Sequence, residues 1–129
     1  MKADIKKYIE KYQNISGYFF WIWLLVLLIL SSIPNIPTQH IDIGEHNFRL
    51  DYIFHAGAYG LLTILLHVWR SVKYRDSKNY LLVMLMLLIV LAISDEFHQL
   101  LIPGRSFNPV DLYCNIGGIL AGTIVFILQ

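Results

Sequence analysis

Asp95, Glu96, His98 and Gln99 close an otherwise apolar stretch of this chain, and Asp111 and Asn115 open the next one, with Pro103-Gly104-Arg105-Ser106 between them. Asp51, His55 and Tyr59 recur at intervals of four at the start of an earlier apolar stretch, which sets all three on one face of a helix. Carboxylates beside imidazoles can exchange protons or hold a divalent metal, and a guanidinium offers a planar fork to a carboxylate or phosphate. On these grounds Glu96, His55 and Asp111 are the candidate catalytic residues. Asp51, Tyr59, Asp95, His98, Gln99, Arg105, Ser106 and Asn115 are the candidate ligand-binding residues. A divalent metal is the one cofactor these residue types suggest, with His55, Glu96, His98 and Asp111 as its candidate ligands.

The elements that carry these residues are membrane spans. The chain of 129 residues is 57% hydrophobic with a mean hydropathy of +0.56, above the apolar share of a soluble domain. Four apolar stretches, 18–33, 52–69, 80–102 and 110–128, each come near the ~17 to 25 residues that a spanning helix needs. The expected fold is all-α, an integral membrane four-helix bundle forming a single domain over residues 1–129, without internal repeats. The single cysteine, Cys114, excludes an intrachain disulfide.

Charge sets the expected orientation. Lys2, Lys6, Lys7 and Lys11 precede the first span, and Arg70, Lys73, Arg75 and Lys78 separate the second from the third. The positive-inside rule then puts both segments and both termini on the cytoplasmic side. The segment 34–51 and the turn at 103–109 face outward, so every unusual polar group lies in the outer half of the bundle. Ile5, Tyr8, Ile9, Tyr12 and Ile15 recur at helical spacing among the lysines, as in an amphipathic helix lying on the inner leaflet. No small-x-small cleavage site follows the first apolar stretch, and the span is expected to be retained.

The segment 34–51 contains Pro34, Pro37 and Gly44 without a clear period and reads as an ordered loop or short re-entrant piece. His40, Asp42, Glu45 and His46 match no strong metal-ligand spacing, so a solvated loop is the expected reading.

Depth makes the case for a site. At about 1.5 Å per residue, Asp95 lies about 12 Å along its helix from Pro103 and His55 about 6 Å from Asp51. A charge at mid-helix costs roughly 2.5 to 3.5 kcal/mol on insertion scales, tolerable when the groups face one another, water or a ligand. Successive residues turn by about 100°, so Asp95 and Gln99 nearly superpose, with His98 and Glu96 to either side. Asp111, Asn115, Gly118 and Gly122 form one stripe on the fourth span, and its small members let another helix come close.

Each residue also has a purely structural reading. Asn108, Pro109 and Asp111 fit the N-cap, N1 and N3 positions of a helix, and Asp51 fits an N-cap. His55 and Tyr59 could be hydrogen-bond glue between helices, and Glu96 could pair with Arg105 or carry a proton. Gly118 and Gly122 read as packing residues, and His67 and Trp69 as interface anchors at the cytoplasmic end of the second span.

Taken together, Asp51-x3-His55-x3-Tyr59, Glu96-x2-Gln99, Pro103-Gly104-Arg105-Ser106 and Asp111-x3-Asn115-x2-Gly118 resemble the signature of the VanZ-like family over residues 51–122. The resemblance implies a bacterial, multi-pass protein of the cytoplasmic membrane, from a family whose founding member is associated with resistance to the glycopeptide teicoplanin. It implies no defined molecular activity. Three functions therefore remain open: an outward-facing cavity that binds the headgroup of a membrane lipid, a lipid-linked wall precursor or a lipoglycopeptide; a membrane-embedded hydrolase or transferase for a lipid-linked substrate; and a helix-packing adaptor for a partner membrane protein. No HExxH motif or paired Ser or Cys nucleophile favours catalysis. The basic residues carry no groove-reading or aromatic motif, which leaves nucleic-acid binding without support.

Overall fold

The four expected helices are all present, and the segment between the first two is a hairpin rather than an irregular loop. In the computed structural model, which describes residues 2–37, 40–43, 46–74 and 77–129, α1 spans Lys2–Ser31, β1 His40–Ile43, β2 His46–Arg49, α2 Asp51–Tyr74, α3 Tyr80–Gln99 and α4 Pro109–Leu128. β1 and β2 pair antiparallel, with His40 opposite Arg49 and Ile43 opposite His46. The Ile41, Ile43 and Phe48 pattern in two four-residue runs about Gly44-Glu45 was the available hairpin signal. Of the loop residues considered for metal binding, Glu45 and the side chains of Asp42 and His46 lie outside the described residues.

Each helix contains an apolar window of 20 to 22 residues, long enough to cross a membrane. Only 22% to 39% of the most apolar 18 residues of each span are buried within the bundle, so most of the apolar surface points outward, as it does for helices solvated by lipid. α1 runs without a break from Lys2, so the segment expected to lie on the membrane surface and the first span form one rod, whose apolar window begins at Glu10.

α2 is the central helix, packed against α1 on one side and α4 on the other, and α3 leans chiefly on α4. Its contact with α1 is fixed by polar as well as apolar groups. Ser16 Oγ donates to Leu65 O at 2.9 Å and Trp23 Nε1 to Ala58 O at 2.9 Å. Phe20, Tyr59, Leu62, Leu66, Leu88, Ala92 and Ile119 form the buried apolar cluster. His67, expected at the interface, is instead wholly buried. Thr123 Oγ1 donates to Ile119 O and must accept from His67 Nε2 at 3.3 Å, which leaves Nδ1 to accept from Tyr80 Oη at 3.0 Å. Its ring also stacks on Phe126 at 4.7 Å. The partners come from α3 and α4, which local spacing on α2 could not reveal.

The α2–α4 contact is close because both helices present small residues there. A methyl group at Gly118 would fall on Ala56 O, and one at Gly122 would stand 2.7 Å from Gly60 O. Backbone thus meets backbone, the arrangement that small residues permit in membrane helix pairs.

α4 begins as its sequence suggests. Asn108 is extended (φ −122°, ψ 109°), its side-chain oxygen accepts from Val110 N at 3.0 Å, and Pro109 occupies the first helical turn. Removing the cap in Asn108→Ala is expected to cost about 1 kcal/mol in a detergent thermal melt. The turn before it is set by Pro103 and Gly104: Arg105 N donates to Ile102 O at 3.1 Å, and Gly104 has φ 77°. These are the hydrogen bond and the left-handed glycine of a type II turn. That turn aims Arg105 back toward the bundle, where its Nη2 donates to Ser31 O at 3.4 Å.

Candidate functional site

The hairpin end of the bundle encloses a cavity of about 840 Å³. Its walls come from the C-terminal turns of α1 and α3, the N-terminal turns of α2 and α4, Arg49 at the end of β2, and the turn that carries Arg105. Asp51, His55, Tyr59, Asp95, Gln99, Arg105, Ser106 and Asp111 all line it. Two guanidinium groups, Arg49 and Arg105, thus face three carboxyl groups, Asp51, Asp95 and Asp111. Leu27, Leu30 and Phe54 form an apolar wall, with Phe54 75% exposed on its outer side.

The close α2–α4 approach governs the polar geometry, because it brings the residues flanking Ala56 and Gly118 within reach of each other. His55 Nδ1 lies 3.0 Å from Asn115 Oδ1, and Asn115 Nδ2 donates to Glu96 Oε1 at 3.4 Å. Gln99 Nε2 donates to the same oxygen at 3.4 Å. The amide of Asn115 must turn its NH2 toward the carboxylate, so its oxygen faces the imidazole and His55 Nδ1 is the donor. In the neutral ring the other nitrogen, Nε2, then carries the lone pair, and it lies 3.7 Å from Asp111 Oδ2. Glu96 and Asn115 stand behind the cavity wall, both with no exposed surface. Each neighbouring pair fixes the next, so α2, α4 and α3 are joined by one polar relay.

A second link runs from Tyr59 Oη, which donates to Asp95 Oδ2 at 3.1 Å, again joining α2 to α3. Buried polar groups without partners mark where the walls are incomplete: among the described residues, Asp95 Oδ1, Glu96 Oε2, Asp111 Oδ1 and Arg105 Nε have no hydrogen-bond partner. Such groups are costly unless a ligand or water completes them.

Three expected members, Glu96, His98 and Asn115, do not line the cavity. His98 turns away from the cavity toward α1, where its Nδ1 lies 3.3 Å from Ser31 Oγ. Glu96 has Asn115 and Gln99 as its partners, and Arg105 reaches Ser31 O instead. Arg49 was missed as a site residue. It forms a two-pronged ion pair with Asp51, Nε to Oδ1 at 3.1 Å and Nη2 to Oδ2, and its Nη2 also lies 4.0 Å from Asp111 Oδ2. The hydrogen bond that Arg49 donates to Asp51, together with the negative charge beside it, raises the Arg49 pKa above its usual value. Its place two residues before Asp51 was the available sequence signal. Asp51 therefore has its carboxylate engaged by Arg49 at the first position of α2, while Asp111 occupies the N3 position expected of it.

A family model described as VanZ/LLP1 matches residues 10–129, nearly the whole chain. The chain belongs to the VanZ/LLP1 family. It is accordingly a VanZ-like, multi-pass membrane protein, with four helices each long and apolar enough to span a bilayer. Searches of curated proteins and of solved structures returned no match. The VanZ/LLP1 match extends over α2, α3, α4 and most of α1, and so includes every element that lines the cavity.

Proposed function

We propose that the cavity of this VanZ-like protein receives the anionic headgroup of a membrane lipid or lipid-linked wall precursor, and that it thereby modulates the response of a bacterial envelope to glycopeptide and lipoglycopeptide antibiotics such as teicoplanin. The observation that carries this reading is Arg105. It lines the cavity, and among the described residues its Nε is buried without an acceptor and the guanidinium makes only the 3.4 Å hydrogen bond to Ser31 O. A guanidinium with spare donors at the edge of a cavity suits the two oxygens of a phosphate or carboxylate. The N-termini of α2 and α4 also open onto the cavity and favour negative charge. The apolar wall of Leu27, Leu30 and Phe54 offers the first carbons of an acyl or prenyl chain a route outward to the lipid. With the basic segments held on the cytoplasmic side, the cavity faces the outer leaflet of the cytoplasmic membrane, where wall precursors and lipoglycopeptides meet.

The test is a titration of short-chain phosphatidate against short-chain phosphatidylcholine in neutral detergent. Arg105→Lys keeps the charge and loses the fork, and is expected to weaken phosphatidate binding about tenfold or more. The same variant should lose any rise in teicoplanin tolerance that the wild-type chain confers on a susceptible host. Equal binding of phosphatidate by both proteins would sink this reading.

A second reading has its own observation. The relay of Glu96, Asn115 and His55 fixes an imidazole with its free nitrogen at the cavity wall beside Asp111. An oriented imidazole of this kind can take or return a proton, as hydrolysis or group transfer on a lipid-linked substrate requires.

A further inference from the structure

We propose that Asp51, His55 and Asp111 form a binding site for a divalent cation of the Mn²⁺ or Zn²⁺ kind, with its open coordination positions facing the cavity. One ligand atom from each residue can be chosen so that all three lie within 4.8 Å of one another. His55 Nε2 and Asp111 Oδ2 are 3.7 Å apart, within the roughly 3 to 4 Å that separates two ligands each about 2.0 to 2.2 Å from one metal. Small side-chain rotations close the remaining gap.

Three further features point to a cation rather than to a chance cluster of acids. The imidazole is prepared as a ligand: its Nδ1–H is committed to Asn115, itself held by Glu96, which leaves Nε2 as the donor atom. Metal-ligating histidines are oriented in this way by the hydrogen bond of their other nitrogen. Asp111 is 6% exposed, lines the cavity, and has a carboxylate oxygen without a hydrogen-bond partner among the described residues. Finally, a positive group already sits in the cluster, since Arg49 pairs with Asp51 and reaches toward Asp111. The guanidinium and a metal would compete for the same two carboxylates. Two carboxylate oxygens and one imidazole nitrogen, with positions left open, suit Mn²⁺ and Zn²⁺ better than a soft thiophilic ion. The cation would also offset the excess of carboxyl groups over guanidinium groups in the cavity and release Arg49 to act there.

The site stands on these residues alone, whether or not the cavity takes a lipid headgroup. The experiment is therefore a lipid-free Mn²⁺ titration of the tag-free, chelator-stripped full chain in neutral detergent, read by electron paramagnetic resonance of the unbound ion, with Zn²⁺ as competitor. The wild-type chain is expected to bind one equivalent that Zn²⁺ displaces. His55→Ala should weaken binding about tenfold or more. Arg49→Gln removes the competing charge and should tighten it by roughly tenfold, a gain that a misfolded variant could not produce. The proposal is overturned if no stoichiometric Mn²⁺ binds, if His55→Ala binds as wild type, or if Arg49→Gln fails to tighten binding.

Discussion

Gly118→Ala is expected to lower the stability of the bundle by about 2 to 3 kcal/mol, whereas Gly117→Ala, one residue away, should raise it by roughly 0.5 to 1 kcal/mol. Both changes add one methyl group to the middle of α4, and both gain the same intrinsic preference of alanine over glycine for a helix. The difference lies in what the methyl meets. At Gly117 nothing lies within 4 Å, while at Gly118 it would overlap the backbone oxygen of Ala56. Backbone cannot rotate aside as a side chain can, so α2 and α4 must separate. That separation would also stretch the 3.0 Å contact between His55 and Asn115, so Gly118→Ala should impair the cavity along with the fold. Thermal melts of the two variants in one detergent check the sign reversal. A stabilising Gly118→Ala would mean that the two helices do not meet as described.

Glu96 separates in a similar way. Glu96→Leu is expected to destabilise the protein by roughly 2 to 5 kcal/mol, because the Asn115 and Gln99 amides would each lose a buried acceptor at about 1 to 3 kcal/mol. Glu96→Gln keeps an oxygen where Oε1 now accepts both amides and places its NH2 at Oε2, which has no hydrogen-bond partner among the described residues. Its side chain is neutral and of the same shape, so its melting should stay within about 1 kcal/mol of wild type. If the relay serves only to hold helices together, Glu96→Gln should behave as wild type in headgroup binding also. If the negative charge polarises His55 for work in the cavity, Glu96→Gln should lose function at unchanged stability. Melting and phosphatidate binding measured on the same sample distinguish these results.

The helical period carried much of the geometry. Asp51, His55 and Tyr59, Asp111, and Asp95 and Gln99 face a common centre, with Asn115 one turn behind Asp111, because their spacings repeat with the turn of a helix, and the small residues at 118 and 122 let two of those faces meet. Periodicity did not reveal which neighbour each edge of a stripe would touch. His98 lies beside Gln99 on α3, yet the C-terminal turn of α1 occupies that side and takes its side chain to Ser31. His67 looked like an interfacial residue by position alone, and its partners on α3 and α4 are distant in sequence. Arg49 lies outside the apolar stretches, and only the hairpin, separated from α2 by Leu50 alone, delivers it to Asp51 and Asp111.

The central claim is that the cavity holds an anionic headgroup, and native mass spectrometry of the protein released from bacterial membranes in mild detergent tests it most directly. The comparison is between the wild-type chain and Ser106→Trp, which places an indole in the cavity from an exposed position in the loop. The wild-type protein is expected to retain one phosphate-bearing lipid in preference to zwitterionic lipids, and Ser106→Trp to lose it at unchanged melting temperature. Retention without preference for charge, or equal retention by the plugged variant, would contradict the claim.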